Sequence, residues 1–245
     1  MDAHRLEKAA ERGEPSYVWR AGQERRLDLV RAQVGDRING MVLEDGCGLG
    51  TYLKRFDKTA HHAFGLEIEF DRCLDAHAEV PRVVCAAGES VPLTANTFDL
   101  VFSNEVLEHV KDDRRCVEEI VRVLKPGGRF AFYVPNRGYP FETHGIYRNG
   151  KYSFGNKLFI NYLPRRLRDK LAPHVNIYTR ADLEKLFTGL SVKFIHRTVV
   201  FGAYDNIITR FPLLGKALRA VLQSLEKTPL RVLGLSHFWV VEKTA

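Results

Sequence analysis

The sequence predicts an α/β protein built on a doubly wound, mostly parallel β-sheet with helices on both faces. Short runs rich in Val and Phe alternate with amphipathic helical stretches between residues 41 and 134. A glycine-rich turn, DGCGLG, follows the first of these runs. Because strand and helix alternate without an internal repeat or a low-complexity linker, we expect one domain over residues 1–245.

Apolar runs of strand length define the predicted sheet. In chain order they are MVLED (41–45), HAFGLE (62–67), RVVCA (82–86), FDLVFS (98–103), RFAFYV (129–134), SVKFIHRTVVF (191–201) and LSHFWVVEK (235–243). The last two predict an antiparallel hairpin that completes a seven-stranded sheet. Ligands of such sheets bind at the carboxyl ends of the strands, so we expect the site there.

Stretches with apolar residues at helical spacing separate the strands. They are LGTYLKRF (49–56), EFDRCLDAHA (69–78), EVLEHVKDDRRCVEEIVRVL (105–124) and YTRADLEKLFTG (178–189). Residues 2–35 have the same spacing and stop at Gly35. We therefore expect residues 1–38 to form a helical lid over the site.

Composition narrows the class of protein. With 45% apolar and 27% charged residues the chain is globular, and we expect no signal peptide, no membrane span and a cytoplasmic location. Cys47, Cys73, Cys85 and Cys116 form no C-x-x-C pair, so reduced thiols are expected. The net charge of +7 is dispersed along the chain, which disfavours a nucleic-acid patch.

The glycine-rich turn has the pattern G-x-G-x-G. Gly46 and Gly48 allow a tight turn and close backbone approach to a ligand, and Gly50 lets the following helix pack on the sheet. Thr51 stands where a dinucleotide-binding motif has Gly or Ala, which disfavours a nicotinamide cofactor. Glu67 ends the second predicted strand, where a carboxylate accepts hydrogen bonds from ribose hydroxyls.

These motifs resemble those of the class I S-adenosylmethionine-dependent methyltransferases of the type 11 group, over most of residues 40–136. VLEDGCGLG is similar to the family's first motif and GLEIEF to its acidic second motif. FDLVFSNEVLEHV and RVLKPGGRFAFYVPN are similar to the fourth and fifth. The resemblance implies a Rossmann-like fold with its cofactor-binding core at residues 39–136, and S-adenosylmethionine as the cofactor.

The resemblance also implies where the cofactor lies. Glu44 and the glycine turn would hold its methionine part, Glu67 its ribose, and Ile68 would pack on its adenine. Ala87 stands where the family often has an acidic residue that bonds the adenine amino group. The resemblance therefore assigns this contact to backbone groups of Gly88 or to Glu89. The full expected set is Glu44, Gly46, Cys47, Gly48, Gly50, Glu67, Ile68, Gly88, Glu89 and Asn104.

The segment NEVLEHV is a candidate metal site. On a helix, Glu105, Glu108 and His109 would share one face. This E-x-x-E-H set resembles the magnesium motif of ubiquinone-biosynthesis O-methyltransferases and of small-RNA 2′-O-methyltransferases, in which a second histidine precedes an aromatic-Thr-Arg step. His174 holds that position here. The resemblance implies Mg²⁺ on these four residues; a purely structural role is the alternative, because VLEHV also occurs in metal-independent relatives.

The segment FETHG (141–145) contains a candidate general base. Histidine changes charge near neutral pH, so His144 is placed to deprotonate a hydroxyl acceptor, with Glu142 orienting it. A loop histidine bonded to local backbone is the alternative. Residues 137–176 are aromatic, basic and longer than a connection requires, which predicts a segment that covers the substrate.

The C-terminal part, residues 177–245, contains an amphipathic stretch at 207–233. Its apolar residues lie on one side, and its polar positions include Lys216, Arg219 and Lys227. Packing on its own domain, covering the site, forming a homodimer and peripheral membrane contact are all compatible with this pattern. In the N-terminal segment, Trp19 and Arg20 are expected in core and surface roles, with a cofactor contact as the alternative.

Taken together, the sequence predicts a methyltransferase acting on a small-molecule or lipid-like acceptor, at oxygen. An RNA 2′-O-methyltransferase is the alternative enzyme, supported by the basic charge and by the E-x-x-E-H set with His174. A non-catalytic S-adenosylmethionine-binding subunit is the alternative from a different class. The sequence does not identify the acceptor.

Overall fold

A computed structural model describes residues 17–245 of the chain. The first half of the predicted N-terminal lid, residues 1–16, lies outside the described residues. The second half forms helix α1 (Ala21–Val34), which ends at Gly35 as expected. A short 3₁₀ helix, Gly35–Asn39, then leads into the sheet.

The predicted strands are confirmed with small changes at their ends. The first five are β1 (Met41–Asp45), β2 (His62–Glu67), β3 (Val83–Cys85), β4 (Phe98–Asn104) and β5 (Leu124–Pro135). Four short strands follow within residues 137–176, called the aromatic segment below. They are β6 (Phe141–Glu142), β7 (Ile146–Arg148), β8 (Lys151–Ser153) and β9 (Lys157–Leu158). The last two are β10 (Val192–Val200) and β11 (Ser236–Lys243).

Seven of these strands form one sheet in the order β10-β11-β5-β4-β1-β2-β3. β11 runs antiparallel to both of its neighbours, and the other adjacent pairs are parallel. From β1 the chain proceeds outward to β2 and β3, then returns to place β4 on the other side of β1. The carboxyl ends of β1 and β4 therefore form a topological switch point, where open α/β sheets bind ligands.

Helices cover both faces of the sheet. After α1 they are α2 (Leu53–Phe56), α3 (Phe70–Glu79), α4 (Asp113–Val123), α5 (Arg165–Leu171), α6 (Arg180–Leu186), α7 (Asp205–Arg210) and α8 (Pro212–Ser224). Among the described residues, no helix is both long and apolar enough to cross a bilayer. All four cysteines are free thiols, as expected, and Cys85 is the exposed one.

Two apolar cores lie on opposite faces of the sheet. Along β5, Phe130 and Phe132 enter the core beneath α4 and α6, while Ala131 and Tyr133 enter the core beneath α1, α2 and α3. This alternation follows from the two-residue side-chain period of a strand. β11 is buried along its whole length, because both faces and both edges are covered.

The predicted helix over residues 105–124 is wrong in its first half. Residues 105–112 form turns, and α4 begins only at Asp113. Glu105 has a φ of 57°, a left-handed conformation that an L-residue in a right-handed helix does not adopt. Asp112 then caps α4, with its carboxylate accepting a hydrogen bond from the backbone N–H of Arg115 at 2.9 Å.

We expect Asp112→Ala to lower the free energy of unfolding by about 1 kcal/mol, because the first turn of α4 loses its side-chain acceptor. Urea unfolding followed by circular dichroism measures this change. Asp75→Ala, an exposed substitution inside α3, is the matched control and should change it by less than about 0.5 kcal/mol. An Asp112→Ala variant as stable as the parent protein would contradict the capping role.

Candidate active site

A cavity of about 1390 Å³ opens at the carboxyl ends of β1, β2, β4 and β5. The glycine turn forms one wall, and the aromatic segment forms another. Residues lining it that the sequence singled out are Glu44, Gly46, Cys47, Gly48, Glu67, Ile68, Gly88, Glu89, Asn104, Glu105, Glu108, His109, His144 and His174. Of the remaining predicted site residues, Gly50 lines a smaller neighbouring pocket and Glu142 lies behind His144.

The glycine turn is locked against the loop that follows β4. Gly46 has a φ of 71°, and a β-carbon added there would overlap the side chain of Val106. The backbone N–H of Cys47 donates to the carbonyl oxygen of Leu66 at 2.9 Å, which ties the turn to β2. Glycine at position 46 is therefore required both by backbone conformation and by space.

Glu67 links the glycine turn to the end of β2. Its carboxylate accepts hydrogen bonds from the backbone N–H groups of Gly48, at 2.8 Å, and Glu69, at 2.9 Å. An ionised carboxylate has about four acceptor positions, so Glu67 can still accept hydrogen bonds from two vicinal hydroxyls of a ligand. Its side chain borders the cavity and is buried.

Glu44 presents an unpartnered carboxylate oxygen in the buried wall of the cavity. Its Oε2 atom meets no hydrogen-bond donor, and burial raises the pKa of the group well above its ordinary value, despite a backbone hydrogen bond at Leu53. A buried acceptor without a partner destabilises the free protein. A ligand ammonium group would relieve that cost.

Asp45 is a second buried acid in this wall, and the sequence reasoning did not single it out. Burial raises its pKa to about 6, opposed by the hydrogen bond that the Ser103 hydroxyl donates at 3.1 Å. A β-carbon at Gly88 would lie 3.1 Å from the Asp45 carboxylate. The sequence offered one signal for Asp45, its position directly after Glu44. Successive residues of a strand point to opposite faces, so that position alone does not show that both acids reach the cavity.

Arg26 on α1 is the other residue that sequence reasoning missed. Its guanidinium donates to the side-chain oxygen of Asn104 at 2.7 Å and to the Ser236 hydroxyl at 2.9 Å. It also forms an ion pair with Glu105 at 2.8 Å and lies 4.6 Å from the ring centroid of Tyr133. Arg26 lines the cavity, whereas Trp19 contacts Tyr52 and the backbone of Arg20 begins α1.

Glu105 and Glu108 form a coupled pair with opposite protonation. Burial tends to raise the pKa of Glu105, but the charge of Arg26 and the hydrogen bonds from Glu108 and Ser236 together outweigh it, and the pKa is lowered. Burial and the neighbouring Glu105 charge raise the pKa of Glu108 well above its ordinary value. An ionised Glu108 would meet no donor, whereas a protonated one can donate to Glu105. Glu105 is therefore the charged member and Glu108 the neutral one.

The residues that converge at ligand distance differ from the predicted metal set. Ligand atoms of Glu108, His109 and His144 lie within 4.8 Å of one another. Glu105 turns instead to Arg26, because its left-handed backbone directs it away from a shared helix face. His174 lies nearby with its Nε2 atom 3.2 Å from the carbonyl oxygen of His144. Magnesium binding stays a prediction.

His144 is held from behind by a buried ion pair. Its Nδ1 atom lies 3.2 Å from Oε1 of Glu142, and Oε2 of Glu142 accepts from Arg168 at 2.6 Å. Burial acts to raise the pKa of Glu142, but the hydrogen bond from His144 and the charge of Arg168 lower it to about 2. Glu142 is thus a charged acceptor beside Nδ1 of His144, which favours the tautomer with its N–H on Nδ1 and its lone pair on Nε2.

His109 lies beside His144, with a ring-centroid distance of 5.3 Å. Burial, together with the neighbouring His144, lowers the pKa of His109 to about 3. Its Nδ1 atom is buried without a hydrogen-bond partner. His109 is therefore a neutral imidazole with one open nitrogen at the edge of the cavity.

Comparison with known proteins identifies the family. Residues 43–132 match the family model described as a methyltransferase domain. A solved S-adenosylmethionine-dependent methyltransferase from Mesorhizobium loti has the same fold, with a TM-score of 0.62 and 19% identity over 97% of this chain and 100% of that one. The chain belongs to the class I S-adenosylmethionine-dependent methyltransferase family.

Two curated relatives match the present chain over most of the chain's length. An uncharacterized protein of Methanocaldococcus jannaschii is 33% identical over 69% of this chain and 72% of its own. A malonyl-[acyl-carrier protein] O-methyltransferase of Buchnera aphidicola is 24% identical over 75% of this chain and 76% of its own. For several other curated relatives the chain spans about half of their length, from 45% to 49%.

The residues of the cavity fit the cofactor of this family. The unpartnered Oε2 of Glu44 suits the ammonium group of the methionine part, and the spare acceptor positions of Glu67 suit the ribose hydroxyls. Ile68, more than one-third exposed at the cavity edge, offers an apolar surface to the adenine ring. The fit rests on acceptors and apolar surface that the protein itself leaves open.

Gly46→Ala should weaken binding of S-adenosylhomocysteine by roughly tenfold or more, since the added methyl group displaces Val106 and the turn. Calorimetric titration measures the affinity. Gly127→Ala is the matched control: Gly127 has a φ of 79°, and a β-carbon there has no neighbour within 4 Å. It should lose about 1 kcal/mol of stability with unchanged affinity. Affinity in Gly46→Ala equal to the control would contradict the role of this turn.

Asp45 makes stability depend on pH. Its folded pKa of about 6 lies above the ordinary value of 3.8, so the unfolded chain loses this proton first as pH rises. The protonated Asp45 carboxyl therefore contributes to the free energy of unfolding below about pH 4, and this contribution is lost between about pH 4 and 6. Relative to the parent protein, Asp45→Asn should therefore gain up to about 3 kcal/mol from pH 4 to 7, at 1.36 kcal/mol per pKa unit.

Urea unfolding at several pH values measures this difference. Asp75→Asn, at an exposed position on α3, provides the control for the substitution itself. A constant difference between Asp45→Asn and the parent protein across this range would show that Asp45 is not held in a perturbed state.

Proposed function

We propose that this protein is an S-adenosylmethionine-dependent methyltransferase that methylates an oxygen of a small-molecule or lipid-like acceptor. The observation that carries the proposal is the place of His144. It lines the same cavity as the glycine turn, and a buried Glu142–Arg168 pair holds its Nδ1 atom. The cofactor-binding residues and an oriented base therefore line the same cavity.

The cofactor part of the proposal assigns roles to the chain's own residues. Bound S-adenosylmethionine supplies an electrophilic methyl group on a sulfonium. Glu44 binds the ammonium group, Glu67 binds the ribose hydroxyls, and the glycine turn approaches the methionine part closely. Asn104, already fixed by Arg26, borders the place where the acceptor meets the cofactor. These residues position the cofactor, which is the main task in an in-line displacement.

The size of the cavity supports a separate acceptor. Pockets for one small ligand occupy about 300–1,000 Å³. At about 1390 Å³ this cavity exceeds that range, so it has room for an acceptor beside the cofactor. The additional walls come from the aromatic segment, through Thr143, Phe154 and His174. Phe154 is largely exposed, which suits an acceptor with apolar character.

Oxygen as the acceptor atom is supported by the base. A hydroxyl is a weak nucleophile until its proton is removed, and His144 has its Nε2 atom available for that proton. Glu142 stabilises the imidazolium that results, as an acid behind a catalytic histidine does. The Buchnera relative, an O-methyltransferase by name, is consistent with the same choice of atom.

His144→Gln should lower kcat for methyl transfer by about 100-fold or more, because the general base is lost. The assay is transfer of a labelled methyl group to an acceptor found by screening phenols, quinols and hydroxylated lipids. Binding of S-adenosylhomocysteine should stay unchanged. His77→Gln, at an exposed position on α3, is the matched control and should keep full activity.

Two results would count against the proposal. Full activity in His144→Gln would remove His144 from the chemistry while leaving the methyltransferase itself intact. No binding of S-adenosylmethionine or S-adenosylhomocysteine to the parent protein would overturn the enzyme proposal. Repeating the assay after chelation, with and without added magnesium, separately tests the metal prediction for Glu105, Glu108, His109 and His174.

A further inference from the structure

The segment 207–233 leaves many large apolar side chains exposed to solvent. α8 packs closely on α7 at Gly215, where an added β-carbon would lie 2.7 Å from the Cα atom of Ile208. On its other side, Leu213 is 86% exposed and Leu214 is 67% exposed. The remaining exposed apolar residues of this segment are Ile207, Phe211, Val221, Leu230, Val232 and Leu233. Exposed large apolar side chains concentrated in one short segment indicate an interaction surface.

Positive charge surrounds these apolar side chains. The basic residues of the stretch 207–233 are Arg210, Lys216, Arg219, Lys227 and Arg231. Its one acidic residue, Glu226, is neutralised by an ion pair with Arg25 at 2.6 Å. The surface formed by residues 207–233, the basic apolar face, therefore combines exposed hydrocarbon with basic residues that form no ion pair with an acidic side chain of residues 17–245.

The basic apolar face continues into the aromatic segment beside the cavity. A β-carbon at Gly138 would overlap the carbonyl oxygen of Val232, so the two backbones touch. The hydroxyl of Tyr162 donates to the carbonyl oxygen of Gly138 at 2.8 Å, and the Tyr162 ring stacks on Phe159. Both rings are about half exposed. Just past Val232, Leu235 lines the cavity.

Charge decides which partner fits this face. Exposed apolar residues interleaved with Lys and Arg suit the interface of an anionic membrane, where acyl chains and negative headgroups lie at adjacent depths. A second copy of the chain fits poorly, because a two-fold contact would bring the cations of both copies together. An acidic polymer such as RNA would pair with the charges but leave Leu213 and Leu214 exposed.

We propose that the basic apolar face is a membrane-docking surface that binds anionic phospholipid bilayers through α8 and the neighbouring turns. Docking would hold the cavity mouth at the lipid interface. Use of the face to admit a lipid-like acceptor rests on the proposed function, whereas binding to the bilayer does not.

Vesicle sedimentation tests the proposal with the full chain and no acceptor. The probes are phosphatidylcholine vesicles and equimolar phosphatidylcholine–phosphatidylglycerol vesicles. We expect binding to the mixed vesicles, weakened by added salt, and much weaker binding to phosphatidylcholine alone. Lys216→Glu/Lys227→Glu and Leu213→Ser/Leu214→Ser should each lower the partition coefficient by roughly tenfold or more.

Matched controls exist elsewhere on the surface. Lys58→Glu/Lys185→Glu makes the same change of net charge at exposed lysines away from residues 207–233. Phe70→Ser/Leu74→Ser removes two exposed apolar side chains from α3. Both controls should retain vesicle binding to within about twofold. Binding of S-adenosylhomocysteine by every variant verifies the fold and separates this test from the proposed function.

Several outcomes would overturn the proposal. Vesicle binding that is absent in the parent protein, or equal in the face variants and their controls, would do so. So would a dimer, seen by light scattering, that Leu213→Ser/Leu214→Ser dissociates. Tight binding of an RNA oligonucleotide lost in Lys216→Glu/Lys227→Glu, with no vesicle binding, would assign the face to nucleic acid instead.

Discussion

The partly buried guanidinium of Arg26 forms the interactions on which the site depends. It bonds Asn104 at the end of β4, Glu105 just beyond it and Ser236 at the start of β11, while its plane lies over Tyr133. One side chain thus ties α1 to three strands. Because a partly desolvated charge is costly without partners, these partners must stay in place together. The left-handed backbone at Glu105 is the conformation that delivers its carboxylate to this cation.

The shape of the cavity follows from that constraint. With Glu105 directed to Arg26, the loop after β4 cannot continue as a helix, and Val106 packs against the glycine turn. Glu108 and His109 are then presented in a turn and not on a helix face. A buried ion pair, Glu142 with Arg168, anchors the aromatic segment opposite them. The cavity therefore lies between two fixed walls, one for each ligand of the proposed reaction.

Polar groups left open inside this cavity connect structure to function. Glu44 lacks a donor for one oxygen, His109 has an open nitrogen, and Glu108 keeps a proton only because burial and Glu105 oppose its charge. Such groups reduce the stability of the free protein, and they persist where a site needs them. The exposed apolar residues of α8 have a similar effect on the surface of the protein, because exposure of hydrocarbon to water also reduces stability.

The sheet, the glycine turn and the family could all be predicted from the amino-acid sequence. They depend on local periodicity and on glycine conformations that residues 41–67 and 98–134 encode within short windows. Helix propensity did not reveal the break at Glu105, since that break depends on Arg26, far away in the chain. The pairing of Glu142 with Arg168 and the meeting of His144 with Glu108 are likewise contacts between distant segments. These contacts could be seen only in the folded chain, because charge pairing and burial are properties of the assembled site.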